Sequence, residues 1–263
     1  MPPSETFLRA VQVRSERIDD PDRYPFTIPA IRSLRTLDLD PRITFLLGEN
    51  GSGKSTLIEA IAVAAGFNAE GGSKNFNFTT RSSESGLWRC LRLIKNPRTP
   101  TTGYFLRAES FFNVATEIEK LDEDPWAGPP ITPSYGGALH EKSHGESFLA
   151  LVENRFGPEG LYILDEPEAA LSPSRQLVLL RHMHLLIQDG SQFLIATHSP
   201  ILLAFPGALL YQLSETGIEK VEYEETEHYR LTRDFLLRRE LFFRELFAEG
   251  KGEDEEGGCG GVD

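Results

Sequence analysis

Apolar positions along the chain change their spacing several times, and each change predicts an element. From Phe7 to Val13 apolar and polar residues alternate weakly, as in a half-buried strand. Asp19-Asp20-Pro21-Asp22 then forms a turn cluster. Phe26, Ile28, Ile31, Leu34, Leu37 and Leu39 predict one or two short strands. Ile43, Phe45, Leu46 and Leu47 are an apolar run that enters a glycine-rich segment. A helical run follows from Thr56 to Val63, with Gly66 as its C-cap. Leu87 to Ile94 and Tyr104 to Leu106 read as strands, Phe111 to Leu121 as a helix, and Asp122 to Gly137 as a Pro- and Gly-rich loop. The stretch 67–142 as a whole reads as an inserted arm, too short for a long antiparallel coiled coil. Beyond it come a helix from Glu146 to Phe156 and a buried-type strand from Leu161 to Leu164. Ser172-Pro173 opens a helix that runs to about Asp189 and closes at Gly190. Phe193 to Ala196 is a further strand, Leu209 to Leu213 and Ile218 to Tyr223 a hairpin, and Leu231 to Phe247 a long amphipathic helix.

The glycine-rich segment, Gly48-Glu49-Asn50-Gly51-Ser52-Gly53-Lys54-Ser55, fits G-x-x-x-x-G-K-[ST] in the strand–loop–helix setting that pattern requires. The glycines let the backbone approach a phosphate without a Cβ in the way. The amides and the helix N-terminus, from Gly48 through Thr56, face the anion. Lys54 reaches the β- and γ-phosphates, and the Ser55 hydroxyl holds Mg²⁺. ATP and Mg²⁺ are therefore the expected ligands. Leu161-Tyr162-Ile163-Leu164-Asp165-Glu166 is an apolar strand ending in two carboxylates. Asp165 is the candidate Mg²⁺ ligand and Glu166 the candidate general base. Thr197-His198-Ser199-Pro200 follows the next strand, placing His198 where it can sense a γ-phosphate. Ser143-x-x-Glu146 is a capping box opening a helix, and with Gly145 its N-terminus is a second candidate phosphate contact.

Charge narrows the choice of partners. The net charge is −13 and the isoelectric point about 5.0, which argues against broad attraction to nucleic acid or anionic membranes. Arg81, Arg89, Arg92, Lys95 and Arg98, with Phe76, Phe78 and Trp88 nearby, make one local basic stretch. It reads as a solvated strand face, with nucleic acid the less favoured partner. The two cysteines, Cys90 and Cys259, lie far apart and fit a reducing compartment. The N-terminus does not read as a signal peptide, and no apolar run reaches the length of a membrane span, so the expected location is the cytoplasm. The acidic, glycine-rich stretch 249–263 is expected to be a disordered tail.

The order P-loop, Ser-x-Gly-Glu, Asp-Glu, Thr-His resembles that of ATP-binding cassette (ABC) ATPases and covers most of residues 40–200. Ser-His-Gly-Glu-Ser, Asp-Glu-Pro-Glu and Thr-His-Ser-Pro are more similar to the stand-alone AAA-type ATPases related to Rad50, SMC and RecF than to transporter subunits. Arg107-Ala108-Glu109-Ser110-Phe111-Phe112 and Glu227-His228-Tyr229-Arg230 strengthen that impression. The resemblance implies an α/β fold: a mostly parallel sheet flanked by helices, with an N-terminal antiparallel portion, in one ATPase domain over residues 1–248. It also implies an ATP-sandwich homodimer acting on an unknown protein partner, with Ser143, Gly145 and Glu146 contacting in trans the ATP held by Lys54. Residues 169–172 become the D-loop. Two alternatives are a transporter's nucleotide-binding subunit and a DNA-maintenance or defence ATPase. The chain departs from transporter cassettes in its signature, in its Ala-Ala-Leu-Ser D-loop, and in having no Gln between the P-loop and Ser143. Glu109 is the candidate replacement, as a contact to Mg²⁺ or water. Tyr24 and Phe26 are candidates for stacking on adenine.

Overall fold

Strand β3 (Ile43–Gly48) is buried at every position, so it lies inside a sheet covered on both faces. In the computed structural model, which describes residues 7–73, 85–111, 116, 122, 132–135, 137 and 143–248, this sheet has six strands. Their order is β5 (Thr102–Arg107), β6 (Gly160–Asp165), β7 (Gln192–Ala196), β3, β8 (Leu209–Ser214) and β9 (Gly217–Val221). All neighbours are parallel except β8 and β9, which form the hairpin. A second, antiparallel sheet joins β2 (Thr36–Asp38), β1 (Leu8–Val13) and β4 (Leu91–Lys95).

The two-residue period of the strands divides the core into two layers. Leu46, Phe105, Leu161, Ile163, Leu194 and Ala196 face α2 (Lys54–Ala65) and the antiparallel sheet. Phe45, Tyr104, Leu106, Tyr162, Leu164 and Ile195 face the other way. There they pack on α4 (His144–Arg155), α5 (Pro173–Gln188) and α6 (Pro200–Leu203). The buried Gln192 ties the two sheets together. Its side chain accepts the Leu8 N–H at 2.9 Å and donates to the Leu8 and Asp40 carbonyls at 2.8 and 3.0 Å.

Three expectations change. The 26–39 stretch is a helical turn, α1 (Pro29–Ser33), before the short β2. Pro29 stands at its first positions, where a missing N–H and a fixed φ suit a helix, and Ala30 and Ile31 supply the buried face. Residues 87–90 form the single turn α3 (Leu87–Cys90) ahead of β4. The stretch 67–142 is not wholly an arm. Its β4 completes the small sheet and its β5 extends the main one, because both have buried faces to satisfy. The helix expected from Phe111 to Leu121, and the loop after it, fall largely outside the described residues, as do Phe76, Phe78, Arg81 and the 249–263 tail.

The last helix, α7 (Glu227–Leu246), begins a turn earlier than its apolar pattern predicts, with Thr226 as N-cap. None of its residues is buried. Leu236, Leu237, Leu246 and Phe247 of this segment are each more than two-thirds exposed, an apolar surface on an otherwise charged chain.

Candidate active site

The parallel strands β3, β6 and β7 end on one edge of the sheet, where loops from an open α/β sheet converge on ligands. The loop between β3 and α2 depends on its glycines. Gly48 has φ +147°, and a Cβ there would lie 2.3 Å from the Leu213 carbonyl oxygen. Gly53 has φ +98°. Only glycine adopts such conformations without strain. Lys54 folds back over the loop, its Nζ donating to the Gly48 and Glu49 carbonyls, each at 2.9 Å. Burial holds its pKa below the ordinary lysine value, while the carboxylates of Glu166, Asp165 and Glu168 push it back up. The Ser52 hydroxyl is buried without a hydrogen-bond partner among the described residues.

Asp165 ends β6 in the same alternation as Leu161 and Ile163, so its side chain lies on the α2 side. It hydrogen-bonds the Ser55 side chain. Burial raises its pKa to about 6, against the opposing effect of Arg107 and the Ser55 bond. Its Oδ1 is buried with no hydrogen-bond partner among the described residues. An orphaned carboxylate oxygen beside a serine hydroxyl is a hard-oxygen pair of the kind Mg²⁺ takes, so these residues fit the ion.

Arg107 was not singled out by pattern as a site residue. It lies opposite Asp165 in the β5–β6 register and shares the side of Phe105, which aims it at α2. There its guanidinium meets Glu59 at 2.8 Å, Asp165 at 3.5 Å and Glu109 at 3.6 Å. Glu109 has an 81% exposed side chain and reaches the site only through Arg107 among these ion pairs.

Glu166 is held in the left-handed region, φ 49° and ψ 50°, by the strand end and its N–H bond to the Ala196 carbonyl. Such a conformation is uncommon for a residue with a Cβ and concentrates at functional sites. Its carboxylate is 3.6 Å from His198 Nε2. The neighbouring Glu168 accepts the His198 backbone N–H at 2.5 Å, and burial raises its pKa. Burial, with Lys54 nearby, lowers the pKa of His198, against the opposing effect of Glu166. His198 Nδ1 faces a second ring, His228 of α7, at 3.3 Å. A cavity of about 300 Å³ joins Glu49 and Asn50 of the loop to His198, Glu227 and His228. Nothing in the local sequence around His228 predicts this meeting, since 30 residues separate the two rings.

Ser143, Gly145 and Glu146 stand at the start of α4. Glu146 accepts from the Ser143 N–H at 3.0 Å and the Ser143 hydroxyl at 2.7 Å, the expected capping box. Those bonds hold its pKa below the usual carboxylate value. Arg175 of α5 donates to the Ser143 hydroxyl at 3.3 Å and to Glu146 at 3.0 Å. A Cβ on Gly145 would come within 2.5 Å of Arg175 Nη1 and 2.9 Å of the Ala170 carbonyl oxygen. None of the hydrogen bonds or ion pairs found among the described residues joins this group to Lys54 or Asp165.

The two aromatic candidates separate. Phe26 is packed in the core, only 8% exposed, whereas Tyr24 is 59% exposed and its hydroxyl is 3.0 Å from Thr56 Oγ1. Tyr24 also lines a cavity of about 620 Å³ with Arg17, Arg23 and Arg89. Replacing Tyr24 with Ala is therefore expected to weaken ATP binding by about 1–3 kcal/mol with little loss of stability. Phe26→Ala is expected to cost about 3–5 kcal/mol of stability instead. Nucleotide titration and urea unfolding of both variants separate the two effects.

Arg98 of the basic stretch pairs with Glu159 and lies over the Phe7 ring, which favours its reading as an ordinary surface residue.

A family model described as an AAA domain matches residues 27–105. No curated protein matches the sequence. Among solved structures, an inward-facing ABC transporter of the metal-chelate type superposes with a TM-score of 0.51 at 15% identity, over 86% of this chain and 88% of that one. CbiO1 from Clostridium perfringens, part of the ABC transporter complex cbiONQ, gives 0.50 at 14% identity, over 92% and 100%. The SMC head domain from Thermotoga maritima gives 0.46 at 17% identity, over 82% and 100%. The first two likenesses, at 15% and 14% identity, establish the fold alone, that of the ABC-type ATPase cassette.

Proposed function

We propose that this chain, an ABC-type P-loop ATPase by fold, binds Mg²⁺ and ATP and hydrolyses ATP as a head-to-tail homodimer in the cytoplasm. One observation carries the reading: Lys54, Ser55, Asp165, Glu166 and His198 converge on one sheet edge, while the side-chain bonds of Ser143 and Glu146 go to each other and to Arg175. A second copy would bring Ser143 and Gly145 over the phosphate that Lys54 holds, completing a site each chain half contains.

The chemistry follows from the positions. Lys54 exchanges its two loop carbonyls for phosphate oxygens, and the loop amides bind the same anion. Ser55 and Asp165 would hold Mg²⁺, which would supply positive charge against the phosphates. Glu166 orients a water and takes its proton as the water oxygen bonds to the γ-phosphorus and the bond to the β-phosphate oxygen breaks. The products are ADP and phosphate. His198 Nε2 donates to a γ-phosphate oxygen, Tyr24 stacks on adenine, and Glu109 contacts the ion or its water. If Glu109→Gln and Glu109→Ala both keep wild-type turnover and Mg²⁺ dependence, that last role is excluded. The exposed apolar residues of α7 support a protein partner as the recipient of the motion.

Mixing two inactive variants tests the shared site. Lys54→Ala removes the phosphate clamp from one chain, and Ser143→Arg blocks the contact in trans. In a mixed dimer one composite site contains both lesions and the other contains neither. Part of the activity is expected to return on mixing. A mixture as inactive as its parents excludes the shared site.

A further inference from the structure

We propose that His228 is a positioning residue: it donates a proton from Nε2 to His198 Nδ1, fixing His198 in the tautomer that presents an Nε2–H to the γ-phosphate. The inference rests on the reading of His198 as a phosphate contact and extends it to a residue on α7.

The tautomers decide it. His198 Nδ1 and His228 Nε2 lie 3.3 Å apart, so one proton sits between two rings. Burial lowers the pKa of both rings, against the opposing effect of Glu166 on His198 and of Glu227 and Glu49 on His228, which favours the neutral form of each. Two arrangements remain. If His198 donates from Nδ1, its Nε2 carries a bare lone pair facing the Glu166 carboxylate at 3.6 Å. His228 Nδ1 would then bear a buried N–H, and that atom has no hydrogen-bond partner among the described residues. A lone pair against a carboxylate repels, and a buried orphan donor is the rarer and costlier defect. If His228 donates instead, the His198 Nε2–H, which has no hydrogen-bond partner among the described residues, faces the Glu166 carboxylate at 3.6 Å and is attracted to its charge, and the unpaired His228 atom is only an acceptor. The second arrangement wins. It is also the one a phosphate oxygen requires, because a phosphate only accepts.

The rest of the fold keeps the two rings in register. His198 lies two residues before Pro200, whose carbonyl accepts the Tyr223 hydroxyl at 2.9 Å. The Tyr223 carbonyl in turn accepts the Thr226 hydroxyl at 2.7 Å, and Thr226 Oγ1 caps α7 by accepting the Tyr229 N–H at 3.3 Å. His228 stands in that first turn. It also lines the cavity shared with Glu49 and Asn50, so the start of α7 borders the nucleotide site directly.

The test uses the full chain with substitutions His198→Ala, His228→Ala, His228→Gln and the double His198→Ala/His228→Ala. Turnover and the affinities for ADP and for a non-hydrolysable ATP analogue are measured. His228→Ala is expected to lower analogue affinity and turnover by about 10- to 100-fold, the effect of one hydrogen bond to a charged group, while ADP affinity stays unchanged. His228→Gln should recover most of the loss, since its side-chain amide donates from nearly the position of Nε2. The double variant should be no worse than His198→Ala alone. In the nucleotide-free protein, nitrogen NMR should show His198 protonated on Nε2 and lose that preference in His228→Ala. Three results overturn the proposal while leaving the phosphate reading intact: a silent His228→Ala beside an impaired His198→Ala, equal loss of ADP affinity in the Ala and Gln variants, or His198 protonated on Nδ1. A silent His198→Ala removes the phosphate reading itself, and the proposal with it.

Discussion

Replacing Glu166 with Gln is expected to lower ATP turnover by about 100- to 10,000-fold while leaving ATP bound. The substitution keeps the shape of the side chain and removes its ability to take a proton. Gln adopts the left-handed backbone at φ 49° no less readily than Glu, and its carbonyl oxygen can still face His198 from 3.6 Å. Lys54, Ser55 and Asp165 are untouched, so affinity for Mg-ATP should persist. Because the chemical step that ends the sandwich is blocked, the variant should accumulate as a dimer in Mg-ATP and return to monomers in ADP. Phosphate release and light scattering check the two halves separately. Turnover within a few-fold of wild type would exclude Glu166 as the base. A variant that stops turnover but stays monomeric at saturating Mg-ATP would instead count against the dimer.

Asp165→Asn should have effects of opposite sign on stability and activity. Asp165 is buried, and its folded pKa of about 6 lies above the ordinary aspartate value of 3.8. A carboxylate that binds its proton more tightly in the folded state weakens the fold once ionised. The weakening is fully present above about pH 6 and fades as the pH falls through that value toward 4. Without Mg²⁺, the Asn variant is therefore expected to be more stable than wild type near neutral pH by up to about 3 kcal/mol. Urea unfolding in a chelator at about pH 7.5 and about pH 4.5 measures the gain and its decline. Equal stability at the higher pH, or a gain that does not shrink at the lower, would show that Asp165 is not strained by its burial. Turnover is expected to be lost, because the amide cannot replace the carboxylate as a hard anionic ligand. The wild type thus keeps a destabilising charge where the chemistry needs one, a familiar trade at functional sites.

Much of the site was legible because its chemistry is local. Gly48 to Thr56 is one continuous loop whose glycines, lysine and serine are needed at fixed spacing, and Asp165-Glu166 and His198 sit at strand ends marked by apolar runs. The capping box of Ser143 and Glu146 was likewise readable, since both partners lie in one helical turn. Where expectation and structure part, a longer-range term decides. The 26–39 stretch carries spaced apolar residues that suit a strand as well as a helix, and Pro29 with the packing of Ala30 and Ile31 tips it to a helix. Arg92 and Lys95 lie on β4, Arg89 in the turn α3 before it and Arg98 in the loop that leads to β5, because β4 completes the small sheet and β5 extends the main one.

By itself, the sequence determined the α/β class, the strand–loop–helix of the P-loop and the two acids after β6, since each depends on neighbours a few residues away. Tertiary structure alone decided which side chains share the site with them. Strand alternation turned Arg107 toward Glu59 and Asp165, and a chain of bonds through Tyr223 and Thr226 brought His228 to His198. Such contacts join residues far apart in sequence, and only the packing of whole elements places them within a few ångströms of one another.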